Sequence, residues 1–312
     1  MQPEEIKRIA VIGAGLMGHG IAQEFALAGY EVYLNDVTEA KLQEALQNIH
    51  ENLRMLVKMG LAAEEHVASV PNRIFLSTSL EKTARNSDLV VEAVLENLEL
   101  KRQIFCELDR VCPKHTILAS NTSTLMPSKF AAATQRPDRV LVTHYFNPPF
   151  LLPLVEVVRG PETSDQAVST VCELLRKIGK QPAIVRKEVP GFIGNRLQAA
   201  LMREALSIVD RGIASPQDVD IVVRNSFGRR LAAAGVFEVF EIAGWDLVMA
   251  TIPYLVPDLE TSHEAPALLK EKVKRGELGI KTGKGFYEWT PESAAALQQR
   301  IARALAAIAR WS

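Results

Sequence analysis

Short apolar runs alternate with longer stretches of helical periodicity through the first part of this chain. RIAVIG, EVYLND, RIFLS, DLVVEA, TILAS, RVLVTH, LVEVV and AIVRK are brief and mostly β-branched, and they predict buried strands. Helical spacing fills most of the gaps, over residues 15–28, 38–59, 98–111 and 164–178. Strand–helix alternation of this kind predicts an α/β fold with a Rossmann-type doubly wound sheet. The alternation stops after Lys187, where Pro190 and Gly191 interrupt the chain. Helical patterns then dominate, over 191–211, 215–225, 236–254 and 263–275, and the Ala-rich end has the spacing of a terminal amphipathic helix. Two domains are expected, residues 1–188 and an all-helical C-terminal domain, residues 189–312.

Composition narrows the class. With 312 residues, 47% of them hydrophobic and 23% charged, the chain matches an ordinary globular protein large enough for two cores. A formal net charge of −1 gives no electrostatic case for binding nucleic acid. No apolar run approaches a membrane span, and the start MQPEEIKRIAVIG lacks the layout of a signal peptide. Cys106, Cys112 and Cys172 form no C-x-x-C pair and are odd in number. They are expected to be free thiols in a reducing cytoplasm, each a small buried hydrophobe. No residue is assigned to a metal.

Two ionisable residues break the apolar pattern. His144 closes the run RVLVTH, and Glu156 interrupts LVEVV twelve residues later. An ionised carboxylate is costly to bury alone, so Glu156 should have a partner. A strand–loop–strand return through the intervening prolines would place it beside His144. A histidine oriented by a buried carboxylate is a general acid/base pair.

A glycine turn supplies a cofactor for that pair. Gly13-Ala14-Gly15-Leu16-Met17-Gly18 follows the first strand and opens a helix. Such a turn lets the backbone approach a pyrophosphate at the helix N-terminus. Asp36 ends the second strand, where its carboxylate can accept hydrogen bonds from an adenosine ribose and would repel a 2′-phosphate. Val37 and Thr38 follow it rather than an arginine, so NAD is favoured over NADP. The later segment GIKTGKGFYEW lacks the spacing of a phosphate loop and predicts a glycine-rich turn before an aromatic anchor.

In order and spacing, VIGAGLMGHGIA, VVEAVLENLELK, ILASNTSTL, HYFNPP, LVEVV, VPGFIGNRL and GIKTGKGFYEW resemble the 3-hydroxyacyl-CoA dehydrogenase family over nearly the whole chain. The resemblance implies a dinucleotide domain followed by a helical domain that mediates dimerisation. It implies that His144 is the catalytic base, that Glu156 orients it, and that Ser123 and Asn195 contact the substrate oxygen. It also implies that Glu96, Lys101, Ser123 and Asn147 line the nicotinamide half of the cofactor. By composition alone, Lys101 would be a solvated lysine on a charged helix face, and Ser123 would cap a helix.

The substrate is less sharply implied, because the family includes enzymes for acyl-CoA thioesters and for free hydroxy acids. Asn52 stands where the CoA-using members place a serine, and only Lys58 falls near their lysines. NPPFLLPLVEV and FGRRLAAAGVFE resemble the subgroup of L-gulonate 3-dehydrogenase, carnitine dehydrogenase and lambda-crystallin. That subgroup's arginine falls at Arg230, where a guanidinium can clamp a carboxylate. The leading expectation is an NAD-dependent dehydrogenase of (S)-3-hydroxyacyl-CoA. Alternatives are a dehydrogenase of a free 3-hydroxy acid, a reductase of another carbonyl such as an aromatic aldehyde or a diketo acid, and a non-catalytic structural protein.

Overall fold

All eight expected strands are present in the computed structural model, which describes residues 3–311. They form one sheet in the order β3-β2-β1-β4-β5-β6-β7-β8. The strands are β1 (Arg8–Ile12), β2 (Glu31–Asn35), β3 (Ile74–Ser77), β4 (Leu89–Glu92), β5 (Ile117–Ser120), β6 (Val140–Tyr145), β7 (Leu154–Arg159) and β8 (Gln181–Val185). The first six run parallel in the Rossmann order, with the direction of winding reversing between β1 and β4. β7 turns back antiparallel to β6, and β8 lies parallel to β7.

β1, β4 and β5 are buried along almost their whole length, as expected for strands covered on both faces. Two apolar clusters pack on the sheet. One holds Ile9, Val11, Phe25, Leu42, Tyr145, Val155 and Val157; the other holds Ala10, Ile12, Phe105, Phe130, Val142, Val158 and Phe192. Strand alternation sends Tyr145 and Val155 to the first cluster, and Val142 and Val158 to the second.

Helix starts follow local chemistry. Thr38, Asn97 and Ser164 each accept a backbone N–H at the entrance to helices Glu39–Lys58, Leu98–Val111 and Asp165–Lys177. The helix after the glycine turn, Gly18–Leu27, has no such side-chain cap.

Two compact units divide at Asn195/Arg196. Residues 189–195 remain with the sheet because Phe192 is buried in the second cluster. The later unit is helical, as expected, with one departure. The stretch 236–254 is not one helix: Val236–Ala243 and Trp245–Leu255 meet at Gly244, whose φ of 86° leaves the helical region. The segment 279–289 forms the expected turn, with Tyr287 anchored on Asp220 at 2.8 Å.

Candidate active site

The catalytic candidates sit at the C-terminal ends of the parallel strands, the edge where open α/β sheets bind ligands. His144 and Glu156 are direct cross-strand partners in the antiparallel β6–β7 ladder. Their side chains therefore share a face, and His144 Nδ1 lies 2.7 Å from Glu156 Oε2. Both are nearly sealed from solvent, at 3% and 1% exposure. The imidazole ring also packs against Phe146 and Phe192.

The second oxygen of Glu156 is equally engaged. Oε1 accepts the backbone N–H groups of Ile193 and Gly194, at 2.9 and 2.8 Å. Gly191 (φ 74°) and Phe192 (φ 52°) aim those groups at it by turning the chain through the left-handed region. For Phe192 this conformation costs about 1–2 kcal/mol, offset by burial of its ring. Burial works against ionisation of Glu156. The hydrogen bonds from His144, Gly194 and Ile193 outweigh it and hold the carboxyl below its ordinary range. An ionised Glu156 can only accept, so Nδ1 carries the proton and Nε2 is the basic nitrogen.

Asn195 follows directly, and its Nδ2 donates to the Ser123 carbonyl at 3.0 Å. His144, Glu156, Asn195 and Ser123 are thus joined by one run of backbone and hydrogen bonds. Ser123 does not cap a helix: Thr122 Oγ1 accepts the N–H groups of Thr124 and Leu125 instead. Ser123 and Asn147 are both exposed, with Asn147 leading into a cis peptide to Pro148.

Beside them, at the ends of β4 and β5, lies a buried polar network. Lys101 is 1% exposed, so it is no solvated lysine. Its Nζ donates to both oxygens of the fully buried Glu92, at 2.8 and 3.0 Å, and lies 3.5 Å from Glu96 Oε2. Glu92 also accepts from Ser120 Oγ (2.6 Å) and from the Val94 N–H (2.7 Å). Glu96, 42% exposed, accepts from Thr122 Oγ1 and from Thr124 Oγ1 (3.0 Å). Burial pushes the Glu96 carboxyl up, but the bonds from Thr122, Lys101 and Thr124 bring it below its usual range. Glu92, Ser120 and Thr122 were not singled out by the sequence reading.

The glycine turn fits a dinucleotide. At Gly13 (φ 99°) a Cβ would lie 2.7 Å from the Ala93 carbonyl oxygen, and at Gly18 it would lie 1.7 Å from that of Gly13. At Gly15 nothing lies within 4 Å of a Cβ, which leaves the backbone open to a ligand. Asp36 ties the turn together, accepting from Ala14 N–H at 2.8 Å and Val37 N–H at 2.7 Å. Two hydrogen bonds leave lone pairs for ribose hydroxyls. Leu16, Val37 and Leu95 are exposed on the loops that follow β1, β2 and β4, and Met17 is part-buried. Large apolar side chains left open along this edge suit the flat rings of a nucleotide.

Arg230 belongs to the later unit, exposed on the short helix Phe227–Leu231. All three cysteines are free. Cys112 and Cys172 are buried, and burial pushes the Cys112 thiol up to about 12. Cys106 is exposed, against expectation, because it sits on the outer face of its amphipathic helix.

A Rossmann sheet with this turn, this acid and a buried His–Glu pair on the same edge defines a nicotinamide-dependent oxidoreductase. The NAD binding domain of 3-hydroxyacyl-CoA dehydrogenase matches residues 8–189, and the C-terminal domain of 3-hydroxyacyl-CoA dehydrogenase matches residues 191–289. The chain belongs to the 3-hydroxyacyl-CoA dehydrogenase family, NAD-dependent enzymes acting on CH–OH groups. The probable 3-hydroxybutyryl-CoA dehydrogenase of Bacillus subtilis (strain 168) is 40% identical over 91% of this chain and 98% of its own. The 5-formyl-3-hydroxy-2-methylpyridine 4-carboxylate 5-dehydrogenase of Mesorhizobium japonicum is 34% identical over 98% of both chains. A crystal structure of a dehydrogenase of that name, described as an NAD+ dependent dismutase, superposes with a TM-score of 0.91 over 98% of both chains at 34% identity. The (S)-3-hydroxybutyryl-CoA dehydrogenase of Ralstonia eutropha superposes with a TM-score of 0.76 over 92% of this chain and 100% of its own, at 35% identity.

Proposed function

We propose that the protein interconverts an (S)-3-hydroxyacyl-CoA and its 3-oxo product, with His144 as the general base. The observation that carries this reading is the buried 2.7 Å contact between His144 Nδ1 and Glu156. NAD, when bound, supplies the hydride acceptor at the nicotinamide. In oxidation, His144 Nε2 takes the hydroxyl proton of the alcohol. Glu156, fixed by Ile193 and Gly194, holds the ring in the required tautomer and stabilises the imidazolium that forms. In reduction, the same imidazolium returns the proton to the developing alkoxide. The Ser123 hydroxyl and the Asn195 amide donate to that oxygen. Asp36, the Gly13–Gly18 turn with Leu16 and Met17, Glu96, Lys101 and Asn147 hold the cofactor.

A second reading has its own observation. The likeness to the pyridine carboxylate dehydrogenase takes in 98% of this chain, whereas the C-terminal family model ends at residue 289. The helix Pro291–Ile308 lies beyond that point. A small free acid, such as an aromatic carboxylate that also bears the reacting aldehyde or alcohol, is the alternative substrate. Asn52, half-buried on the helix Glu39–Lys58 with its Nδ2 unpartnered, and the exposed Lys58 form a poor site for CoA phosphates.

A spectrophotometric panel separates the two: NAD reduction with (S)-3-hydroxybutyryl-CoA, 3-hydroxybutyrate, L-gulonate, L-carnitine and a hydroxymethylpyridine carboxylate. Turnover of the thioester alone sinks the free-acid reading, and turnover of a free acid alone sinks the CoA reading. Full activity of His144→Ala would remove the mechanism itself.

The later unit also supports a homodimer. Among its described apolar residues only Leu206, Ala294 and Ala306 are buried, while Phe237, Ile242, Met249 and Tyr254 are largely exposed. So much uncovered apolar surface needs a partner, and a second copy of the chain supplies it. A cytoplasmic location completes the proposal, consistent with three free thiols.

A further inference from the structure

The network at the ends of β4 and β5 contains two carboxylates and one ammonium. Glu92 and Glu96 share Lys101, so the group carries one net negative charge. That charge is fixed in place. Glu92 is saturated by Lys101, Ser120 and Val94, and Glu96 is braced by Thr122 and Thr124.

The location of this charge follows from the course of the cleft. Asp36 marks the adenosine end, and the Gly13–Gly18 turn marks the pyrophosphate. The Ala93 carbonyl abuts that turn, so the loop 93–96 comes next along the edge, on the side of β5 and β6 where His144 stands. Of the charged side chains in the network, Glu96 is the one with substantial exposure, and it presents the charge to the cleft.

We infer that the Glu92–Lys101–Glu96 network discriminates between the two oxidation states of the cofactor, stabilising bound NAD+ relative to NADH and so lowering the midpoint potential of the bound couple. The oxidised nicotinamide ring carries a positive charge, which the arriving hydride cancels. Every other charge on the cofactor is unchanged. A fixed negative charge beside the ring therefore stabilises only one of the two forms. Coulomb's law at an effective dielectric near 20, discounted because Glu96 is partly exposed, gives about a tenfold preference. The inference rests on the proposed path of the cofactor past β4, and it goes beyond the role of His144.

Titration of the whole protein with NAD+ and with NADH, followed by calorimetry, tests it. Glu96→Gln should weaken NAD+ binding about tenfold while leaving NADH within about twofold. The midpoint potential of the bound couple should then rise by about 30 mV, the equivalent of tenfold for a two-electron couple. Glu96→Asp keeps the charge and should keep the preference. Added salt should shrink the preference in the wild type but not in Glu96→Gln. Equal weakening of both nucleotides in Glu96→Gln would overturn the inference, since it would mean a hydrogen bond to a part common to both forms. An unchanged ratio would overturn it too. If the wild type binds neither nucleotide, the functional reading fails with it. A dead His144→Ala variant with normal nucleotide binding leaves that reading standing whichever way the ratio falls.

Discussion

His144 alone is an ambiguous residue; its meaning comes from an acid that has no business in a buried strand. Replacing it with alanine should lower kcat about a thousandfold or more and leave NAD affinity unchanged, as calorimetry with stopped-flow would show. Glu156 carries a pH signature. Its folded-state carboxyl lies below the ordinary range, so its contribution to stability is present above the unfolded value and is lost as pH falls through the depressed one. Acid unfolding of Glu156→Gln should lack that component, which paired titrations by circular dichroism would reveal. Lys101→Met should destabilise the protein by about 3–5 kcal/mol, because Glu92 would keep its burial and lose its counter-ion. Denaturant melts measure this directly. Glu92 shows how legibility ran out at this scale. It interrupts the apolar run LVVEA just as Glu156 interrupts LVEVV. The signal was equal, but Glu156 had a histidine at hairpin distance, whereas the partners of Glu92 lie 9 and 28 residues away.

Elements were more legible than their ends. All eight strands follow apolar runs, and those buried on both faces, such as β1, β4 and β5, leave continuous apolar signatures. The helix expected over 236–254 failed at Gly244 because a single glycine costs only about 1 kcal/mol in a helix, too little to mark a break from pattern alone. Phe192 escaped notice for a related reason. Nothing in a phenylalanine signals the left-handed backbone that aims two N–H groups at Glu156. The glycine turn was readable because its geometry tolerates no side chain at Gly13 or Gly18. Gly18→Ala would force a Cβ to within 1.7 Å of the Gly13 carbonyl oxygen, so the turn must open. That variant should lose NAD binding by calorimetry even where circular dichroism shows the fold retained.

At the scale of the molecule, exposed apolar surface predicts assembly. The wild type should sediment at twice the chain mass, and Ile242→Asp, at a side chain 86% exposed, should shift it toward the monomer. A wild type that sediments as a monomer at every concentration would refute the pairing. The sheet, the turn and the His–Glu pair were visible in the sequence because each is written in neighbouring residues. The clamp on Glu156 was not, because its donors come from residues 37 and 38 positions further on. That difference in span has a consequence in time. His144 and Glu156 are separated by only twelve positions, so the β6–β7 hairpin can close while the chain is still being made. The segment that carries Ile193 and Gly194 emerges later, and only then is the carboxylate gripped on both sides. Catalytic competence should therefore trail hairpin formation during synthesis. Pulse-labelled hydrogen exchange on stalled chains would show β6 and β7 protected before Gly194 appears, and the opposite order would sink the expectation.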